Sequence, residues 1–150
     1  MASRDAQKRW RRTLLEGGIL SGFANNPIFA WDKQSYRAQL REDLIYVDTD
    51  ETIYVVPNRF YTDFATIPRP LWFLISPFDS TYRLSATLHD YLYFLRGDEP
   101  YEFPRLDCDL CFLRAMRSEG ASGIRATIVY RAVRIFGAVM VAASGKPFRK

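Results

Sequence analysis

Four prolines, at 57, 68, 70 and 77, divide this chain into two halves of different character. Proline lacks an amide hydrogen and pushes the residue before it out of helical geometry, so no long helix crosses this stretch. Ahead of it, Leu44–Val47 and Thr52–Val56 are β-branched and aromatic runs joined by the polar Asp48-Thr-Asp-Glu51. That pattern predicts an antiparallel hairpin, with a further strand near Gln34–Leu40. Behind it, apolar residues recur at helical spacing in three blocks. The first, from about Thr81 to Leu95, carries Leu84, Leu88, Leu92 and Leu95. The second opens on Pro104, closes at Gly120, and presents Leu106, Asp109, Leu110 or Cys111, Leu113 and Met116. The third, from about Ser122 to Ala143, has Ile124, Ile128, Ala132, Ile135, Phe136 and Val139 as its expected packing stripe. The predicted class is α+β: a small N-terminal antiparallel sheet or hairpin, a Pro-rich loop, then three helices.

A chain of 150 residues, 48% of them hydrophobic, has enough apolar surface for one good core. Its net charge of +4 hides a polarity along the sequence. Residues 1–12 carry +4, residues 13–113 carry −7 and residues 114–150 carry +7. The expected organisation is therefore a basic N-terminal arm over residues 1–26, one α+β domain over 27–143 and a basic tail over 144–150. Arg125, Arg131 and Arg134 interrupt the longest apolar run, which excludes it as a membrane span. Glu16 and the Gly17-Gly18 pair break the apolar segment after the basic start, so secretion by a signal peptide is not expected.

The chemistry-bearing candidates centre on His89, the only histidine, which stands beside Asp90 in the first helix. An imidazole is a base or a metal ligand near neutral pH, and a carboxylate binds hard cations. The alternative is a hydrogen-bonded histidine inside the core. Asp90 falls about 100° further around the helix than His89. If the first two helices are antiparallel neighbours, Asp109 comes within reach of His89. Asp63, in the proline-fixed loop, either caps a turn or binds a cation. Cys108 and Cys111 form a C-x-x-C pair, but two thiols and one histidine fall short of a structural zinc site. Buried, reduced thiols are the expectation.

Three pieces stand in order: Thr62-Asp-Phe-Ala-Thr-Ile-Pro-Arg69 with Trp72, then His89-Asp-Tyr-Leu-Tyr93, then Arg105 with Cys108-Asp-Leu-Cys-Phe112 and Met116 to Gly120. With Ala132-Val-Arg-Ile-Phe-Gly137 they resemble a family of phage and prophage proteins, domain of unknown function 1353, over about residues 40–140. That family's pattern has glycine where this chain has Phe64, serine at Thr66 and alanine at Cys108. The resemblance implies a phage origin without naming an activity. Locally, His89, Asp90, Tyr93 and Asp109 are also similar to the helix pair of phospholipases A2. That similarity implies His89 as base, Asp90 as a calcium ligand and Asp109 as the group orienting the imidazole. The Gly-rich calcium loop and the disulfide framework of those enzymes are missing.

The expected function is a virion structural or assembly component of the tail, neck or baseplate, held to neighbouring subunits by its extended ends. The alternative is a calcium-assisted ester or lipid hydrolase with His89, Asp109 and Tyr93 as catalytic residues, Asp90 and Asp63 as calcium ligands, and a role in envelope penetration. No cofactor is expected outside that alternative. Other virion proteins are the expected partners, with homo-oligomerisation beside them. No nucleic-acid reading motif is present, and membrane contact belongs to the hydrolase alternative. The expected location is the virion, after synthesis in the bacterial host cytoplasm.

Overall fold

The computed structural model describes residue 14 and residues 16–18, 21–34, 37–64, 82–96 and 104–144, with side chains up to residue 136 in the last helix. The expected loop beyond residue 64, the basic segment before residue 14 and the tail after residue 144 lie outside the described residues. The order of elements is β1 Gly22–Phe23, β2 Phe29–Asp32, β3 Arg37–Leu40, β4 Leu44–Val47, β5 Ile53–Val56, β6 Tyr61–Thr62, then α1 Arg83–Arg96, α2 Arg105–Ser118 and α3 Gly123–Ser144. The strands form two three-stranded antiparallel sheets, ordered β1-β4-β5 and β2-β3-β6. The α+β class read from the sequence is the class observed.

β4 is buried along its whole length because both its faces are covered. Successive side chains leave a strand on opposite sides. Leu44 and Tyr46 join the main core with Leu84, Leu88, Tyr91 and Leu92 of α1 and with Cys108, Cys111 and Ala115 of α2. Ile45 and Val47 pack on the other side against Leu14. Each large apolar side chain enclosed this way contributes about 1.5–3 kcal/mol. Part of the 1–26 segment thus belongs to the sheet layer. Leu14 lies under β4, Gly22 and Phe23 pair with Val47 and Tyr46, and the Asn25 side chain donates to the Asp43 carbonyl and accepts from the Ile45 amide.

The β4–β5 turn is closed by backbone bonds between Asp48 and Thr52 and between Glu51 and Asp48, with Glu51 at φ 65°. The sequence reads Asp48 as part of a polar connection. In the structure it is buried, and Arg114 of α2 clamps it through Nε at 2.7 Å and Nη2 at 2.6 Å. The hairpin tip is thereby tied to the helical layer.

α1 and α2 run antiparallel. Glu119, at the end of α2, accepts from the Leu84 and Ser85 amides at the start of α1, while residues of the last turns of α1 meet the beginning of α2. The carboxylate thereby satisfies amides that a helix start leaves unpaired. α2 ends in a Schellman turn. Gly120 sits at φ 106°, its amide bonds the Arg117 carbonyl, and the Ala121 amide bonds the Met116 carbonyl.

The packing face of α3 keeps Ala132 of the expected stripe but not its isoleucines, and the Val139 side chain lies outside the described residues. Ala126, Val129 and Ala132 are buried, with Ala126 and Val129 against Phe112 and Met116, whereas Ile124, Ile128 and Ile135 are 78%, 40% and 63% exposed. The helix is turned so that Arg134 faces Asp109 of α2 at 3.0 Å, and Arg105 of α2 reaches the Val133 and Arg134 carbonyls. Leu106, expected on the apolar stripe of α2, is likewise exposed. Among the described residues no helix is long and apolar enough to cross a membrane.

Candidate functional site

The site is built around Asp109, whose side chain is fully enclosed in the first half of α2. Its Oδ1 lies 2.9 Å from His89 Nε2 and accepts the Tyr93 hydroxyl at 2.7 Å. His89 and Tyr93 are four residues apart on α1, one turn, so they reach the same carboxylate. Its Oδ2 accepts from Arg134 Nη1 of α3 at 3.0 Å and lies 3.5 Å from Arg105 Nε, one turn earlier on α2. Arg105 also donates from Nε to the Tyr93 hydroxyl at 3.1 Å. One carboxylate therefore binds groups from three helices.

Burial pushes the Asp109 carboxyl up, but the hydrogen bonds from His89, Tyr93 and Arg134 outweigh it, and the net direction is down. Burial, with the Asp109 carboxylate beside it, pushes the Tyr93 hydroxyl well above its ordinary range. An ionised carboxylate can only accept hydrogen bonds, so His89 donates from Nε2. In the neutral imidazole the lone pair then sits on Nδ1. Among the described residues Nδ1 has no hydrogen-bond partner. The ring is held between the Tyr93 and Phe112 rings, at centroid distances of 4.4 and 4.6 Å.

Asp90 faces a different element. Its Oδ2 accepts the Thr62 hydroxyl of β6 at 2.6 Å, and the Thr62 oxygen accepts the Phe64 amide at 3.0 Å. Adjacent in sequence, His89 and Asp90 thus look toward α2 and β6 respectively. Asp63 is half-buried immediately after β6. Asp90 and Asp63 are the chain's candidates for calcium, and among the described residues no three His, Cys, Asp or Glu side chains come together in a metal-holding group. Calcium takes six to eight oxygen ligands. The donor set present among these residues is short of that.

Phe64 stands at φ 59°. The resembled pattern has glycine there, and the left-handed conformation supplies the physical reason. Here the phenyl ring compensates by packing on Phe29, with centroids 5.3 Å apart.

The two cysteines are buried free thiols. Burial pushes the Cys108 thiol up to about 12, and burial beside Asp48 raises Cys111 as well. Neither is a nucleophile at neutral pH.

The structure therefore brings His89, Tyr93 and Asp109 together and turns Asp90 toward Thr62 instead. Sequence reasoning assigned no role to Arg105, Arg134 or Thr62. The available signals were the one-turn spacing of Arg105 and Asp109 and the presence of Arg134 and Thr62 in the shared motifs.

Residues 38–133 match the model of the family described as "Protein of unknown function (DUF1353)". The uncharacterized protein y4jT of Sinorhizobium fredii (strain NBRC 101917 / NGR234) is 28% identical over 100 residues, covering 66% of this chain and 28% of the relative. The chain spans under a third of that relative's length. No solved structure matches the chain.

Proposed function

This chain belongs to the DUF1353 family, and we propose that it is a structural or assembly component of a bacteriophage virion, in the tail, neck or baseplate, held to neighbouring subunits by its basic ends. The motif resemblance set out above is what supports the phage setting. The observation that carries the structural character is the enclosure of Asp109, whose two oxygens engage His89, Tyr93 and Arg134, with Arg105 alongside. A carboxylate shared by three helices is a clamp. It holds α1, α2 and α3 as one block. Deleting residues 1–12, which stops short of the buried Leu14, is expected to leave the fold intact and to abolish incorporation into particles. Normal incorporation of that truncated chain would overturn the proposal.

The tautomer of His89 favours a second reading, a phospholipase A2-like ester or lipid hydrolase. Held by Asp109 through Nε2, the imidazole presents the Nδ1 lone pair, the form a general base needs to take a proton from water attacking an ester carbonyl. Tyr93 fixes the orienting carboxylate. No step through calcium is derived for this reading, because the oxygen donors around Asp90 and Asp63 among the described residues are too few for that ion. Ester and phospholipid hydrolysis measured with and without calcium tests this reading. Turnover in the wild type that disappears in His89→Asn would establish it in place of the first.

A further inference from the structure

The exposed isoleucines of α3 are arranged, not scattered. Ile124, Ile128, Arg131 and Ile135 recur at intervals of four, three and four residues, the a/d spacing of a coiled-coil seam, and all four are exposed. They cover about three turns of a helix whose opposite side is already packed on α2. From this geometry we infer that the stripe is the docking surface for an amphipathic helix of another protein, one with aliphatic residues along its seam and a carboxylate opposite Arg131. The inference rests on the assembly reading for where such a helix would come from, and on the α3 surface for its chemistry.

Charge weighs against two occupants. No acidic residue follows Glu119 in the sequence, and Arg125 is exposed beside the seam. A second copy of α3 would set arginine against an arginine-bearing face. The chain's own first twelve residues carry +4 and are repelled in the same way. An anionic bilayer would suit the arginines as flanks, but Arg131 lies within the seam between Ile128 and Ile135. A lipid surface would have to receive that guanidinium among its acyl chains, whereas a helix can offer it a carboxylate. A single charged residue in a seam, paired across it, also fixes register.

The test uses the full chain and two synthetic helical peptides. Both carry leucine and isoleucine at their seam positions, and they differ in one residue opposite Arg131, glutamate or lysine. Fluorescence anisotropy should show the glutamate peptide binding at least about tenfold more tightly, since like charges opposed across an interface are strongly disfavoured. Arg131→Glu should invert the preference. Ile128→Asp should abolish binding of both peptides with an unchanged circular dichroism spectrum, because Ile128 is outside the core clusters. Equal binding of the two peptides, or binding indifferent to Ile128→Asp, would overturn the inference. So would self-association in sedimentation, or pelleting with phosphatidylserine vesicles, that is lost in Ile128→Asp. Incorporation of Ile128→Asp into particles is scored separately. Glutamate-peptide binding together with normal incorporation upholds the docking surface and removes its link to assembly.

Discussion

Replacing Asp109 by asparagine keeps the shape of the side chain and removes its charge, and the surroundings allow the cost to be reasoned through. The side chain is fully enclosed, and all its neighbours are donors: His89 and Tyr93 at Oδ1, Arg134 and Arg105 at Oδ2. An amide offers one acceptor oxygen and places an NH2 against donors on the other side. Removing one partner of a buried ion pair costs about 3–5 kcal/mol. The lower end applies, because the Arg134 side chain is 35% exposed and can turn to water, and Arg105 keeps the Val133 and Arg134 carbonyls. The expected loss is about 3 kcal/mol, or about 6–12 °C in melting temperature for a chain of this size. Urea and thermal denaturation followed by circular dichroism measure it. Asp107→Asn, exposed on the same helix, should change stability by about 0.5 kcal/mol or less. If Asp109→Asn melts within about 2 °C of the wild type, three helices are not held through this carboxylate.

Three further expectations follow from particular side chains. Burial raises the Glu119 carboxyl despite its bonds to Ser85 and Leu84. The folded state therefore holds that proton more tightly than the unfolded chain, and its stabilising effect is greatest below the ordinary value of 4.5 and declines as pH rises through the folded value. The stability difference between wild type and Glu119→Gln, measured in urea, should shrink with rising pH; growth with pH would contradict the sign. Asp48 and Asp109 act in the opposite sense, because hydrogen bonds and charges outweigh burial and lower both below 3.8, so their contribution is lost as pH falls through the folded values. Asp48→Asn and Asp109→Asn should each flatten the acid limb of the stability curve, and an unchanged limb would count against both pairs. At Phe64, with φ 59°, the usual order of alanine above glycine should reverse: Phe64→Gly should be more stable than Phe64→Ala by about 1 kcal/mol in chemical denaturation.

Local pattern made much of this molecule readable. The β-branched runs at 44–47 and 52–56, the leucine row of α1 and the proline and glycine at the ends of α2 all report short-range physics, and the corresponding elements form where they point. His89 and Asp109 were also readable, because helical spacing and an antiparallel connection bring them to one level. What stayed hidden depends on partners far along the chain. Along α3 the three isoleucines dominate any apolar count, yet Ala126 and Val129 are the residues that meet Phe112 and Met116, and Arg134 meets Asp109. Asp48 reads as a solvated turn residue until Arg114, 66 positions later, is seen to close on it. The Glu119 cap on α1 spans 35 residues, and β1 is two residues long beside a strand whose pattern gives no sign of a second partner.

The measurement that tests the central claim most directly is a paired one on His89→Asn: the melting temperature of the variant, and ester and phospholipid turnover by wild type and variant in calcium. If the His89–Asp109 pair is a clamp in an assembly protein, the variant melts several degrees lower, as the loss of about 1–3 kcal/mol at a buried hydrogen bond requires, and the wild type shows no turnover. Turnover by the wild type that vanishes in a variant of unchanged melting temperature would contradict that account and establish His89 as a catalytic base.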